Sequence, residues 1–138
     1  MLTQQFLPTP LRLSQMHSRD ARHVLAARSW CVLRQAGHDP FARLKAYLQS
    51  EVVAKRFGPL MEVVTLCWPE PFAIYRPCCV GVSLDEGLLA RALRLALGNA
   101  RPEFDELLHE MLPDDARNIL FIRARYLYPS GSKATSAE

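Results

Sequence analysis

The segment SLDEGLLARALRLALGN, Ser83 to Asn99, constrains the fold more than any other part of the chain. It opens with a Ser-x-x-Glu pattern, Ser83 and Glu86, which is typical of a helix capping box: the serine hydroxyl accepts a hydrogen bond from a helix N–H, and the glutamate reaches back to the serine N–H. Leucine and alanine then cover most of the helix circumference. A thin polar stripe is left for water: Gly87, Arg91, Arg94 and Gly98. A helix that is apolar nearly all round is buried or shared with a partner. We therefore expect the central helix of the fold or one half of a homodimer interface.

Length and composition indicate a single helical domain. The chain has 138 residues, of which 49% are hydrophobic and 22% charged, and a domain of this size folds without disulfides or metals. We expect an all-α fold, with one compact domain of five or six short helices. We place an extended N-terminal arm at residues 1–17, the helical domain at 18–128 and a disordered tail at 129–138, since the tail is small and polar.

Short polar and glycine or proline signals mark the first helices. The first helix runs between Ser18, a candidate N-cap, and Gly37, a typical helix end. Asp39 and Pro40 then open a second helix, because aspartate caps well and proline is tolerated at the first helical position. Its apolar residues recur every three or four positions, which predicts a helix to about Phe57.

Proline predicts the next breaks. Proline inside a helix costs about 3 kcal/mol, so Gly58 and Pro59 predict the end of the second helix and the start of a third, PLMEVVTLCW. The prolines of PEP, Pro69 to Pro71, stop that helix. Another helix is expected to begin at Pro102.

The C-terminal segment carries two conflicting signals. Asp114 and Asp115 suit the N-terminus of a helix, whereas IRARYLY alternates polar and apolar residues and is rich in β-formers. We expect a helix. The alternative is an α+β fold with a short two-stranded pairing of residues 72–76 and 119–127, so whether 116–127 is helix or strand stays open at this stage.

The four cysteines are of two kinds. Cys31 and Cys67 lie in apolar, periodic helices, where a free cysteine packs as a small hydrophobic residue, and we expect both in the core. Cys78 and Cys79 stand in a loop bounded by proline and glycine, just before the capped helix. The positive end of that helix and the nearby Arg76 favour a thiolate. Cys78, Cys79 and Arg76 therefore form a candidate thiol site. The plain alternative, which we favour, is that one thiol faces the core and the other is a tolerated loop residue.

We expect neither a disulfide nor a metal at the cysteine pair. Adjacent Cα atoms lie about 3.8 Å apart, below the roughly 4.4 to 6.8 Å that disulfides use. Zinc sites combine two spaced pairs, such as C-x-x-C with a second pair or histidines, and this chain has one adjacent pair and isolated residues. If the pair binds a metal, soft Cu(I) is favoured over zinc. We predict no metal site, no cofactor and, since common nucleotide-binding and hydrolase motifs are missing, no catalytic residue.

Arginines supply a second candidate surface. Arg91 and Arg94 lie on the polar stripe of the capped helix, and Arg123 and Arg125 lie close to two tyrosines near the C-terminus. We treat these four arginines as a candidate interaction surface. Basic and aromatic side chains together bind phosphates and bases in nucleic-acid-binding proteins, but the net charge of +3 is spread along the chain, which is weak support for a nucleic-acid partner.

The sequence indicates a cytoplasmic setting. The start MLTQQFLPTP has no charged leader ahead of an apolar run, and no stretch approaches the roughly 18 apolar residues of a membrane span. We therefore expect no membrane interaction and a reducing compartment, in which the cysteines stay as thiols.

Two motifs resemble a known group of proteins. RFGPLMEVVTL and, later, PCCVGVSLDEGLL resemble small, uncharacterised alphaproteobacterial helical proteins, which carry an F-G and R-P-L helix and a P-C-C run ahead of an acidic-capped helix. The similarity covers about residues 20–98. This chain departs from the group at two positions: Gly58 stands where the group has arginine, and Val80 stands where a third cysteine is common. The loss of that thiol counts further against a metal site. The resemblance implies a helical fold and an intracellular setting, and it brings no activity.

These observations predict a non-enzymatic protein-interaction or regulatory protein, whose partner is another protein or a second copy in a homodimer. The motivation is the apolar circumference of the capped helix together with the missing catalytic motifs. One alternative is a cytosolic thiol redox or metal sensor that uses Cys78 and Cys79. Another is a nucleic-acid-binding regulator that uses Arg117, Arg123 and Arg125 together with Tyr126 and Tyr128.

Overall fold

The computed structural model describes residues 11–129, and most of that range is helical. The six α-helices of this part of the chain are α1 (Ser18–Gln35), α2 (Phe41–Leu48), α3 (Glu51–Cys67), α4 (Leu84–Leu97), α5 (Arg101–Leu108) and α6 (Asp114–Arg125). A short 3-10 turn, Leu13–Gln15, precedes α1. Within the same residues we find no strand, and one isolated antiparallel bridge joins Arg12 to Gly81. The all-α prediction is confirmed.

The C-terminal segment is a helix, and the alternative pairing of residues 72–76 with 119–127 is wrong. Leu120, Phe121, Ala124 and Leu127 are buried, and their spacing of one, three and three is helical rather than alternating. The alternation of polar and apolar residues in IRARYLY therefore reflects a helix with one buried face, not a strand. The predictions for residues 1–10 and 130–138 lie outside the described residues.

Helix α4 is at the centre of the fold, as its sequence predicts. Ser83 and Glu86 form the expected capping box, in which the Glu86 N–H donates to Ser83 Oγ and the Ser83 N–H donates to Glu86 Oε1. The helix packs against α1, α5 and α6. Leu89, Ala92, Leu93 and Ala96 are each no more than 1% exposed. The chain therefore covers most of the apolar circumference of α4 by itself, and that circumference does not require a second copy.

The break predicted at Gly58 and Pro59 is wrong. Helix α2 ends earlier, where Gln49 adopts a left-handed conformation with φ of 59°, and Ser50 starts α3 by accepting a hydrogen bond from the Val53 N–H. Helix α3 then continues through Pro59. Pro59 and Lys55, the residue whose carbonyl loses its helical partner, are both exposed residues, so the missing hydrogen bond lies on the side of α3 that faces water, where it costs least. Solvent access makes this proline tolerable.

A buried histidine joins α1 to the C-terminal end of the domain. The His23 side chain is 1% exposed, its Nε2 lies 2.9 Å from the Tyr128 hydroxyl oxygen, and its ring stacks on Phe57 at a centroid distance of 6.2 Å. In the described part of the chain His23 Nδ1 has no hydrogen-bond partner. Burial lowers the pKa of His23 from 6.5 to about 3, and the charges of Arg19 and Arg22 act in the same direction. His23 is therefore neutral in the folded protein at neutral pH.

This neutral histidine predicts an acid-dependent loss of stability. Between pH 6.5 and about 3 the unfolded chain binds a proton at His23 and the folded chain does not, so the free energy of unfolding falls as the pH falls through this window. The contribution has a slope of at most about 1.4 kcal/mol per pH unit. We expect urea unfolding of His23→Leu to depend less steeply on pH than that of the wild type.

The matched control is His38→Leu, because His38 is exposed. Its unfolding free energy should follow the wild-type pH dependence. Parallel pH profiles for wild type and His23→Leu would contradict the assignment of His23 as a neutral, buried base.

Candidate functional site

The connection between α3 and α4, which carries the cysteine pair, is held against the first turn of α4. The Ser83 hydroxyl donates to the Ala73 carbonyl at 2.7 Å, and the Ala73 N–H donates to Asp85 Oδ2 at 2.8 Å. The Tyr75 N–H donates to Glu86 Oε2 at 2.9 Å. These bonds replace a strand partner, so the segment that begins with FAIYRP is ordered without belonging to a sheet.

A fully buried ion pair fixes the same connection from the other side. Arg28, in the middle of α1, is 0% exposed, as is Glu86. Arg28 Nε donates to Glu86 Oε2 at 2.8 Å and Nη2 donates to Oε1 at 2.9 Å. Arg28 Nη1 also donates to the Cys79 carbonyl at 2.8 Å, and Nη2 donates to the Gly81 carbonyl. One guanidinium therefore joins α1, the cysteine loop and α4.

Our sequence reasoning missed Arg28, although the sequence contains a signal for it. Arg28 lies four residues after Val24 and one after Ala27, on the face of α1 that the pattern predicts to be buried. A charge at a buried position needs a partner of opposite charge. Glu86 is that partner and it also caps α4, so a single carboxylate both neutralises Arg28 and caps the helix.

The structure places Cys78 and Cys79 in a tight turn at the surface. The Cys79 N–H donates to the Arg76 carbonyl at 2.9 Å. Cys78 is exposed and Cys79 half-buried, and both are free thiols. Arg76 is exposed. The cation that contacts this turn is Arg28, through the Cys79 carbonyl. Within residues 11–129 no group of three or more histidine, cysteine, aspartate or glutamate side chains is arranged to hold a metal ion.

Cys31 and Cys67 are half-buried and pack against the hydrophobic core. Burial raises the pKa of the Cys31 thiol to about 11, and the charge of Glu86 adds to that increase. Cys31 is therefore a poor nucleophile, and its side chain is also less accessible than that of the exposed Cys78.

An open groove lies beside the buried ion pair, between α4 and the segment that leads into α1. Its volume is about 790 Å³. One part is apolar and contains side chains from three segments: Leu11, Met16, Tyr75, Val82, Leu84 and Leu88. The other part is polar and contains His17, Asp20, Arg91 and Arg94. The groove thus combines an apolar wall with a charged end.

Two hydrogen bonds position the N-terminal wall of the groove. The Leu13 N–H donates to the Val80 carbonyl, and the Val82 N–H donates to the Leu11 carbonyl, each at 2.8 Å. These bonds tie the segment before α1 to the residues that follow the cysteine turn. Sequence reasoning missed this wall, because it depends on the docking of distant segments.

The charged end of the groove contains two arginines, of which one forms an ion pair and the other does not. Arg94 Nε lies 3.2 Å from Asp20 Oδ2, and the side chains are 55% and 9% exposed, respectively. Arg91 is exposed, and it makes no ion pair with any residue of the described range. An incoming anion would therefore find Arg91 uncompensated.

The four arginines of the predicted interaction surface do not all line the groove. Arg91 and Arg94 do, whereas Arg123 and Arg125 lie on α6 and are absent from its walls. Arg125 Nη1 donates to the Ala96 carbonyl at 2.9 Å, and thus satisfies a carbonyl in the last turn of α4.

One further arginine on α6 and one on α3 also make intramolecular contacts. Arg117 Nε donates to Asp105 Oδ1 at 3.0 Å, and Arg56 lies over the Tyr126 ring at 4.0 Å from its centroid. These side chains stabilise helix contacts. They are therefore less available to phosphates or bases than the sequence suggests.

Comparison of the chain with protein-family models, curated proteins and solved structures finds no match. The resemblance to alphaproteobacterial helical proteins thus stays a prediction. Within residues 11–129, no helix combines the length and the apolar character that crossing a membrane requires.

The buried ion pair predicts strong energetic coupling between Arg28 and Glu86. Arg28→Met leaves the Glu86 carboxylate buried without a cation, and Glu86→Gln leaves Arg28 without an anion. Each single change should lower the free energy of unfolding by about 3 to 5 kcal/mol. The double variant should lose less than the sum of the two, because it contains no unpaired buried charge. Urea unfolding of the four proteins measures this cycle.

The control for this cycle is the exposed pair of Arg34 and Glu62, whose side chains are 51% and 53% exposed. Arg34→Met should cost at most about 1 kcal/mol. An effect of Arg28→Met no larger than that of Arg34→Met would contradict the proposed role of the buried pair.

The burial of the thiols predicts their order of reaction. At pH 8 a thiol with a pKa of about 11 is ionised in roughly one molecule in a thousand, and the thiolate is the reactive form. We expect iodoacetamide to label Cys78 at least roughly tenfold faster than Cys31 in the folded protein. Peptide mapping by mass spectrometry measures both rates, and Cys78→Ser should remove the fast phase. Equal rates at the two cysteines would contradict the burial of Cys31.

Proposed function

We propose that this chain is a non-enzymatic interaction protein that binds a segment of another polypeptide in the groove between α4 and the start of α1. The observation that carries the proposal is the side-by-side placement of exposed apolar side chains and an unpaired arginine in one concave surface. Leu84 is 81% exposed and Tyr75 is 45% exposed, and both line the groove with Arg91. Exposed apolar side chains gathered in a groove with a polar rim are typical of binding surfaces.

The shape of the groove supports a polypeptide as its occupant. A volume of about 790 Å³ falls within the range of ligand sites, but sites for small molecules enclose most of the ligand. Here Leu84 projects from the first turn of α4 with most of its surface in water. Such an open surface fits a helix or an extended segment laid along it.

The rigidity of one wall also supports binding. Tyr75 and Val82 line the groove, and their backbone is held by the Glu86 carboxylate and by the bridge to Leu11. A surface that is already ordered loses less conformational entropy when it binds a partner.

A second candidate function is a thiol sensor. It is supported by the exposed Cys78, because the carbonyl of the next residue, Cys79, accepts a hydrogen bond from Arg28. Modification of that thiol would act on a segment that also forms a groove wall. A nucleic-acid-binding role receives less support, because Arg117 and Arg125 are engaged in intramolecular contacts. A homodimer receives less support as well, because the chain itself covers most of α4.

The proposal predicts that binding depends on Leu84. Purified full-length chain is used to select from a displayed library of random peptides, and the affinities of the selected peptides are measured by fluorescence polarisation. Leu84→Glu should weaken binding by roughly tenfold or more, because the partner can no longer bury apolar surface there. The variant should fold normally, since Leu84 is exposed and an acidic residue suits the first turn of a helix.

The matched control is Leu66→Glu, because Leu66 is 84% exposed and lies outside the groove. It should bind the selected peptides as the wild type does. Failure to select any peptide, or equal binding by Leu84→Glu and wild type, would refute a polypeptide-binding groove.

A further inference from the structure

We infer that the partner presents an amphipathic helix with two apolar side chains about one turn apart and, on the same face, an acidic side chain about one turn beyond the apolar residue that faces Leu88, where it meets Arg91. The inference rests on the proposed function, since it names the kind of segment that the groove takes. Three side chains of α4 set the pattern: Leu84, Leu88 and Arg91.

The spacing of these side chains determines the spacing in the partner. Leu84, Leu88 and Arg91 are at positions i, i+4 and i+7, so they follow one face of α4. With a rise of about 1.5 Å per residue, Leu88 lies about 6 Å and Arg91 about 10.5 Å along the axis from Leu84. A partner helix that runs alongside in the same direction matches these positions with apolar, apolar and acidic residues at i, i+4 and i+7. A partner in the opposite direction matches them with an acidic residue at i and apolar residues at i+3 and i+7.

The charges of the groove favour an acidic partner. The lining includes two arginines and one aspartate, so cationic side chains outnumber carboxylates there. Asp20 is 9% exposed and is already paired with Arg94, which leaves it little surface for a basic partner. Arg91 lies next to the apolar wall, and a carboxylate placed there gains a charge-assisted hydrogen bond.

A second copy of this chain is a poorer match for the same surface. Copies that met through this face would bring the Arg91 and Arg94 side chains of both into one interface, and like charges in an interface disfavour the contact. A simple amphiphile such as a fatty acid has the required carboxylate and apolar chain. It lacks the two separate apolar side chains that Leu84 and Leu88 would contact.

The test uses displayed alanine-based helical peptides and immobilised full-length protein. One library varies positions i, i+4 and i+7, and a second library varies i, i+3 and i+7. On the wild type we expect leucine, isoleucine, phenylalanine or methionine at the apolar positions and aspartate or glutamate at the position facing Arg91, enriched in one of the two libraries. On Arg91→Glu the acidic preference should disappear or change to lysine and arginine, and the wild-type peptides should bind roughly fivefold to tenfold more weakly.

Arg123→Glu is the matched control, because Arg123 is exposed on α6 and does not line the groove. It should select the same acidic peptides as the wild type.

Selected peptides that lose binding with Leu84→Glu but show no acidic preference would overturn this inference and leave the proposed function intact. A protein that selects no peptide overturns both. Dodecanoate binding without peptide binding, or a homodimer that Arg91→Glu changes, would assign the groove to an amphiphile or to a second copy and would also overturn the inference.

Discussion

The buried contact between Arg28 and Glu86 determines how the rest of this structure is arranged. Neither side chain is exposed, and the Glu86 carboxylate caps α4 while the Arg28 guanidinium reaches two carbonyls of the loop before it. A buried charge pair is stable only when such additional hydrogen bonds satisfy its remaining groups. The buried ion pair is therefore stable only when the loop adopts this conformation. The loop in turn positions the groove wall that contains Tyr75 and Val82.

Parts of the fold that depend on neighbouring residues could be predicted from the sequence. The capping box of Ser83 and Glu86 and the end of α1 at Gly37 are local features, since they involve hydrogen bonds or backbone angles within a few residues. Continuation of α3 through Pro59 could not be predicted in this way. The cost of a proline depends on whether it lies on the side of the helix that faces water, and only the packed structure shows which side that is.

The candidate site was predictable in part for the same reason. Arg91 belongs to the polar stripe of an otherwise apolar helix, and the stripe is visible in the sequence. The opposite wall comes from Leu11 and Met16, which reach the groove because the chain before α1 is bonded to Val80 and Val82. No local pattern encodes that docking. The position of Cys78 in an exposed turn followed from its flanking residues, whereas the contact of Arg28 with that turn required the tertiary structure.

The walls of the groove come from segments that are far apart in the sequence, residues 11–20 and 75–94. An unfolded chain does not bring these segments together, so an occupant would bind the native state alone. By mass action such a ligand raises the free energy of unfolding, by about 2.7 kcal/mol when its free concentration is about a hundred times its dissociation constant. The abundance of the partner would then set how strongly the folded state is stabilised against unfolding, and the two proteins would be coupled through stability as well as through contact.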